Sequence, residues 1–361
     1  MRFRASPHIE LKRLGELAPD QAEAFRELER DADFYGLFVP RPPLATTVKS
    51  VTRQTAELFL ALTEPSRLDT ALLRDESVID LVLDGILEIE RGDGFVAGAD
   101  ALPLVGNVDQ SIADSISRDA LLHAQDLETS EIEALASALY HYNRIPLSPF
   151  WRARFPNAAA VLAHLGANLD REWKASEFGK TWLSWSRRTS IKRDAAGVTF
   201  KLYVSPRPEH IRDAFAVLAR VLSASPAFAF KIGNSAAGLL RPDKLVAYFM
   251  TREELFEAAG ELRRELAGCD AQGVPFTAPF DEDGLLSWGI DPPESERALR
   301  WLGRNSWRSW LTQRLAAAIA VAKSACRADA VEPWRFAIER ARRHGVEIET
   351  WTPLDALWST T

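Results

Sequence analysis

The chain has 361 residues, 47% of them hydrophobic and 26% charged, with a net charge of −7. That balance excludes a largely disordered chain, a collagen-like chain and a disulfide-dense secreted scaffold. No apolar run reaches the ~18 residues that span a bilayer, no secretory signal pattern opens the chain, and Cys269 and Cys326 are far apart and outside metal-ligand spacing, so a reducing cytoplasm is the simplest setting.

Residues 7–32 carry apolar side chains at helical spacing, Leu11, Leu14 and Leu17 and then Ala22, Phe25 and Leu28, and read as helical. Two β-rich runs follow, Phe34–Val39 and Ala45–Val51, around Arg41-Pro42-Pro43, which reads as a hairpin. Three short helices are expected next, at Thr52–Leu62, Ser66–Leu73 and Glu76–Leu83, with Pro65 separating the first two. Ile86–Gly98 then reads as a second hairpin, because Gly92, Asp93 and Gly94 tolerate the positive φ of a tight turn. Residues 110–142 are expected to be helical, Pro146 and Pro149 mark a bend and a boundary near residue 150, and residues 157–175 read as a further helix.

The hairpin, the helices and the second hairpin follow a winged-helix-like order. Its third helix carries Asp75, Glu76, Asp80 and Asp84, which argues against DNA, because phosphate contacts dominate such affinity. The order resembles the peptide-recognition element of enzymes that modify ribosomally made peptides, over roughly residues 34–97. That resemblance implies a leader peptide added as a strand to the edge of the first hairpin.

From residue 180 the pattern changes. Val198–Val204 alternates and reads as a strand, residues 208–225 as a helix, Ala227–Gly233 as a second strand and Lys244–Met250 as a third. Thr251 and Glu254 form a capping box for a helix that Gly268 closes. Residues 273–280 and 284–293 read as short strands or ordered loops, and residues 295–326 as a long helix broken near Asn305-Ser306. The fold class is therefore α+β. The expected organisation is a mostly helical, winged-helix-like peptide-binding region at 1–150, a connecting helix at 151–180, an α+β domain at 181–325 and a C-terminal extension at 326–361.

Charge is uneven. Residues 1–150 hold 14 basic and 26 acidic residues, a net of −12, whereas residues 171–244 hold 14 and 6, a net of +8. Such a local basic field attracts phosphate or carboxylate groups. Lys201, Lys231 and Lys244 recur at strand positions, and Arg241 lies in the turn before Lys244. Lys201 and Tyr203 are two apart and so share a strand face. A lysine that faces inward is costly unless it meets an anion, and burial lowers its pKa. With Arg304, Arg308 and Arg314 on the later helix, these cations are candidates to converge on one phosphate. His123 and His141 sit in no metal pattern, and the chain has no GxxxxGK[ST], HExxH or Cys-x-x-Cys motif, so neither metal nor cofactor is expected.

The stretches around Lys201–Ser205, Phe230–Gly233, Arg241–Phe249 and Ser306–Ala316 resemble the phosphothreonine lyases among bacterial type III effectors. They resemble more closely the Hop-type relatives that serve as stand-alone lyases in lanthipeptide-like pathways. The resemblance covers about residues 180–320. It implies β-elimination of phosphate from phosphoserine or phosphothreonine, with Lys231 as base, and Arg241, Arg308 and Arg314 on the phosphate. Lys201-Leu202-Tyr203-Val204-Ser205 stands where the family has a motif of the kind Lys-Phe-His-Ile-Ser, so Tyr203 replaces the general-acid histidine.

The chemistry stands by itself as well: elimination needs a base for the Cα proton, cations for the phosphate and an acid for the leaving oxygen. Lys231 beside Phe228 and Phe230 suits the base, Tyr203 or Lys201 the leaving oxygen, and Arg241, Lys244 and Arg308 the anion. The implied partner is a phosphorylated precursor peptide, with a separate kinase and cyclase, since the chain carries no HRDxxxxN motif. Two other readings stay open at this level: a non-catalytic peptide-binding adaptor, favoured by the missing histidine, and a single-strand nucleic-acid binder in which Trp182 and Trp185 stack bases between cations.

Overall fold

The computed structural model describes residues 1–42, 44, 46–69, 76–105, 114–166, 169, 172–178, 181–188, 199–292 and 306–354. It has an α+β fold in which antiparallel sheets and helices share three apolar clusters. No helix among the described residues is long and apolar enough to cross a membrane.

The first cluster lies under two three-stranded sheets. One joins β1 (Phe3–Ala5) to the hairpin β5 (Leu87–Arg91) and β6 (Gly94–Val96). The other joins β2 (Ile9–Lys12) to the hairpin β3 (Phe34–Pro40) and β4 (Lys49–Thr52). The helix expected over 7–32 is thus confined to α1 (Pro19–Phe25) and flanking 3-10 turns. Ile-Glu-Leu-Lys alternates with period two, and Ile9 and Leu11 pair with Pro40 and Phe38, so sheet pairing overrides a short helical match. The chain itself therefore fills one edge of the first hairpin.

Helices α2 (Arg53–Ala61) and α3 (Glu76–Leu83) are present as expected. Ser66 instead forms a bridge with Phe3, so no helix starts there; residues 70–73 of that expected helix, and Pro43 and Ala45 of the hairpin turn, lie outside the described residues.

The acidic face of α3 is occupied from within. Asp80 pairs with Arg340 and Arg343, and Asp84 pairs with Arg340 and Lys49. The Arg residues come from the C-terminal helix. The described part of the expected C-terminal extension, residues 326–354, thus supplies a part of the core: Trp334, Phe336 and Ile338 are buried in the second cluster.

That second cluster is helical. It gathers α4 (Gly98–Val105), α5 (Ser115–Asp126), α6 (Ile132–His141), α12 (Trp307–Lys323) and α13 (Pro333–Arg343). The break expected near Ser306 is the start of α12, where the Ser306 hydroxyl accepts from the Ser309 amide; residues 293–305, with Arg304, lie outside the described residues.

The third cluster carries the site. Seven strands run in the order β12 (Ala278–Pro279), β13 (Leu286–Ile290), β9 (Phe200–Val204), β11 (Leu245–Phe249), β10 (Ala229–Gly233), β8 (Trp182–Arg187) and β7 (Trp173–Phe178), and every named pair is antiparallel. The helix expected over 157–175 ends at α8 (Ala158–Leu165), where Gly166 adopts φ +63°. Trp173 then opens the edge strand. On one face Leu202, Val204, Phe230, Ile232, Leu245, Ala247 and Phe249 pack beneath α9 (Ile211–Ala224) and α11 (Arg252–Glu265). The opposite face holds the polar residues.

Candidate active site

Directly opposed residues on antiparallel strands point to the same side of a sheet. Lys231 opposes Ser184 and Val246, and Val246 opposes Tyr203, which opposes Ser287. The next row is Ala229, Tyr248, Lys201 and Gly289. Lys231, Tyr203 and Lys201 therefore share one face, and the Lys231 and Tyr203 strands are separated only by β11, about 10 Å across two strand spacings.

The Lys231 ammonium lies 4.1 Å from the centroid of the Trp182 ring and 5.7 Å from that of Tyr248. Burial lowers its pKa to about 8; Asp243 opposes the shift, and Lys201 and Arg241 add to it. Tyr203 is buried, and its hydroxyl is held protonated well above the ordinary tyrosine range by that burial. Lys201 is ion-paired with Asp291, which anchors it at the strand end.

Above this face stands a cluster built on Asp243. Arg241 donates from Nε to Oδ1 at 2.8 Å and from Nη2 to Oδ2 at 2.9 Å, a bidentate pair. Arg308, from the first turn of α12 and 1% exposed, reaches Oδ2 at 3.1 Å. Tyr140, from α6, donates its hydroxyl to Oδ2 at 3.3 Å. Burial by itself would raise the Asp243 pKa, but Arg308 and Arg241 outweigh it and hold the carboxylate ionised. Arg308 Nη1 is fully buried with no hydrogen-bond acceptor among the described residues.

The remaining predicted residues are placed elsewhere. Lys244 is fully buried, and its ammonium donates to the Pro206 carbonyl at 2.7 Å and to Gln272 Oε1 at 2.6 Å. Burial lowers its pKa to about 7. Its bonds go to neutral acceptors that tie the Arg241–Lys244 turn to two neighbouring loops, so it serves as an anchor for that turn. Arg314 follows Arg308 by six residues, a rotation of about 240° around the helix, and its guanidinium lies 3.7 Å from the Trp310 ring centroid. Trp185 is buried and stacks on Phe230 at 5.0 Å, and Arg187 binds the carbonyls of Leu222 and Ala227. The expected base-stacking pair is thus split between the core and the site.

Four contributors were missed from sequence: Asp243, Asp291, Tyr140 and Trp182 as a site wall. Asp243 stands between Arg241 and Lys244, so its sign was a readable signal. Tyr140 comes from a helix 100 residues earlier, and nothing in its neighbours marks it. A cavity of ≈ 1030 Å³ opens beside Val274 and Ser287, which neighbour Tyr203; Asp114, Asp281, Glu282 and Asp283 give it a largely acidic wall, and none of Lys231, Tyr203, Lys201, Arg241 and Arg308 lines it.

No family model matches the chain, and no curated protein matches it. The chain is similar to an effector protein from Pseudomonas syringae pv. syringae strain 61, at 10% identity over 67% of this chain and 99% of that one, with a TM-score of 0.41. It is also similar to the type III effector and phosphothreonine lyase OspF from Shigella flexneri, at 12% identity over 47% and 85%, with a TM-score of 0.28. A third similarity is to the VirA (SpvC) phosphothreonine lyase effector of Chromobacterium violaceum, at 14% identity over 55% and 99%, with a TM-score of 0.29.

Proposed function

We propose that this chain is a phosphoserine/phosphothreonine lyase that eliminates phosphate from a phosphorylated peptide. The observation that carries the reading is Lys231: a lysine with its pKa lowered to about 8, on the same sheet face as a protonated tyrosine and beneath two arginines.

The neutral Lys231 amine takes the Cα proton. The Cα–H electron pair forms the Cα=Cβ bond, and the Cβ–O bond breaks with its pair on oxygen. Tyr203 gives its proton to that oxygen, so phosphate leaves as the hydrogen phosphate dianion and not as the strongly basic trianion. Arg241 and Arg308 hold the phosphate, and Lys201 supports the charge on the departing oxygen. In a peptide-modification pathway a separate kinase supplies the phosphate and a cyclase uses the dehydro residue.

The test is incubation with phosphoserine and phosphothreonine peptides, followed by mass spectrometry. A loss of about 98 Da, that of phosphoric acid, with a dehydro residue in place of the phosphoresidue is expected, and Lys231→Ala should retain phosphopeptide binding without it. Binding without any loss in the wild-type chain would favour the peptide-binding adaptor instead.

A further inference from the structure

Arg241 and Arg308 come from distant parts of the chain, a turn before β11 and the first turn of α12. Side chains that long lose rotamer freedom when fixed, and two guanidinium groups repel each other. Asp243 supplies the counter-charge. It holds the Arg241 fork through two bonds, but it meets Arg308 only through Nη1, in an ion-pair contact without hydrogen-bond alignment, while Arg308 Nε donates to the Pro275 carbonyl at 3.0 Å.

Besides Asp243, Tyr140 touches both arginines. Its backbone carbonyl accepts from Arg308 Nη2 at 3.0 Å. Its hydroxyl accepts from Arg241 Nη2 at 3.2 Å while donating to Asp243 Oδ2. Its ring lies under both guanidinium groups, at 4.6 Å from Arg308 and 5.6 Å from Arg241. A planar ring beneath a planar guanidinium fixes its tilt, and a hydroxyl in the plane fixes its rotation. We propose that Tyr140 is the positioning residue of the anion site: a tyrosine of the helical part orients both arginines of the sheet's polar face around the shared Asp243 carboxylate. This rests on the reading of the site as a phosphomonoester site. It places Tyr140 beside the anion and not in the proton transfers.

The consequence is a split between binding and turnover. Tyr140→Phe keeps the ring and the backbone carbonyl and removes only the hydroxyl, so the fold is retained. One charge-assisted bond to Arg241 is lost, and KM for the phosphopeptide is expected to rise about tenfold, with the Kd for inorganic phosphate rising in parallel and kcat changing much less. The pH at which the rate climbs should move little, because burial is the largest cause of the Lys231 shift and Tyr140→Phe leaves that burial in place. Tyr142→Phe, at the same helix end with its ring tilted against His123 at 5.6 Å, is the control and should leave both constants within about twofold.

If the wild-type chain eliminates phosphate and Tyr140→Phe leaves KM and phosphate affinity unchanged, the positioning role is wrong and the lyase reading stands. A fall in kcat alone would overturn it too, by placing Tyr140 in the chemistry. If the wild-type chain binds phosphate without eliminating it and Tyr140→Phe still weakens that binding, the positioning role stands and the lyase reading fails.

Discussion

Lys231 makes the sharpest prediction, because its protonation is the rate-controlling variable of the proposed reaction. A lysine at the ordinary 10.5 would be neutral in only about 3 in 10,000 molecules at pH 7, whereas one at about 8 is neutral in about a tenth, a gain of roughly 300-fold. The rate at low substrate should therefore climb about tenfold per pH unit up to about pH 8 and then level. Stability follows the same proton. The unfolded chain holds it up to about 10.5 and the folded chain releases it near 8, so this group adds stability as pH rises between those values. Lys231→Ala should lower the rate by about 100- to 10,000-fold, the range of a lost general base. Lys201→Met removes a cation that lowers the Lys231 pKa and leaves Asp291, which raises it, so the climb should move to higher pH. The assay is phosphate release from a phosphothreonine peptide between about pH 6 and about pH 9.5, a span that brackets the Lys231 pKa of about 8. A flat profile, or undiminished release in Lys231→Ala, would refute the assignment.

Two further outcomes concern the frame around the site. Asp84 is largely desolvated, its side chain 15% exposed, which alone would raise its pKa, but Lys49 and Arg340 hold it at about 2; its stabilising contribution, roughly 2 kcal/mol, is present above about pH 4 and is lost as pH falls through 2, so Asp84→Asn should lower the denaturant midpoint at pH 7 and flatten its dependence on acid. Gly233 follows Lys231 by two residues, and a Cβ there would lie 2.4 Å from the backbone carbon of Gly238; Gly233→Ala should cost about 1–3 kcal/mol in unfolding free energy and reduce phosphate release with it.

The periodicities that the chain carries locally were legible. The strands around Lys201, Lys231 and Lys244 and the capped helix after Thr251 are where alternation and capping place them. What the sequence hid has two physical origins. Short segments satisfy two periods at once: Ile9–Lys12 fits a helix until Phe38 and Pro40 pair with it. Trp182–Arg187 showed charge and aromatic content, but its alternation puts Trp182 against Lys231 and Trp185 against Phe230, and only the sheet register reveals the split. The second origin is distance along the chain. Counting cations found the basic patch, but it could not show that Lys244 spends its bonds on Pro206 and Gln272, or that Asp243 and Tyr140 organise the two arginines.

One cause shifts both proposed proton carriers, and it shifts them in the directions that elimination requires. Desolvation disfavours the charged form of any group. The charged form of lysine is the protonated one, so burial on the covered face of the sheet moves Lys231 toward the free amine. The charged form of tyrosine is the deprotonated one, so the same burial keeps Tyr203 a phenol. A base and an acid are thus both held neutral at the same pH, ready to accept and to donate, without a carboxylate dyad or a metal-bound water to set them apart. A histidine at position 203 would titrate within reach of neutral pH and serve as acid only on the low side of its pKa. Tyrosine in that place stays protonated through the ordinary tyrosine range, over which the Lys231 amine becomes neutral. With Tyr203, one of the two groups the sequence offers for the leaving oxygen, as the proposed acid, the climb of rate with pH is expected to have no descending limb between about pH 8 and the lysine's ordinary range near 10.5.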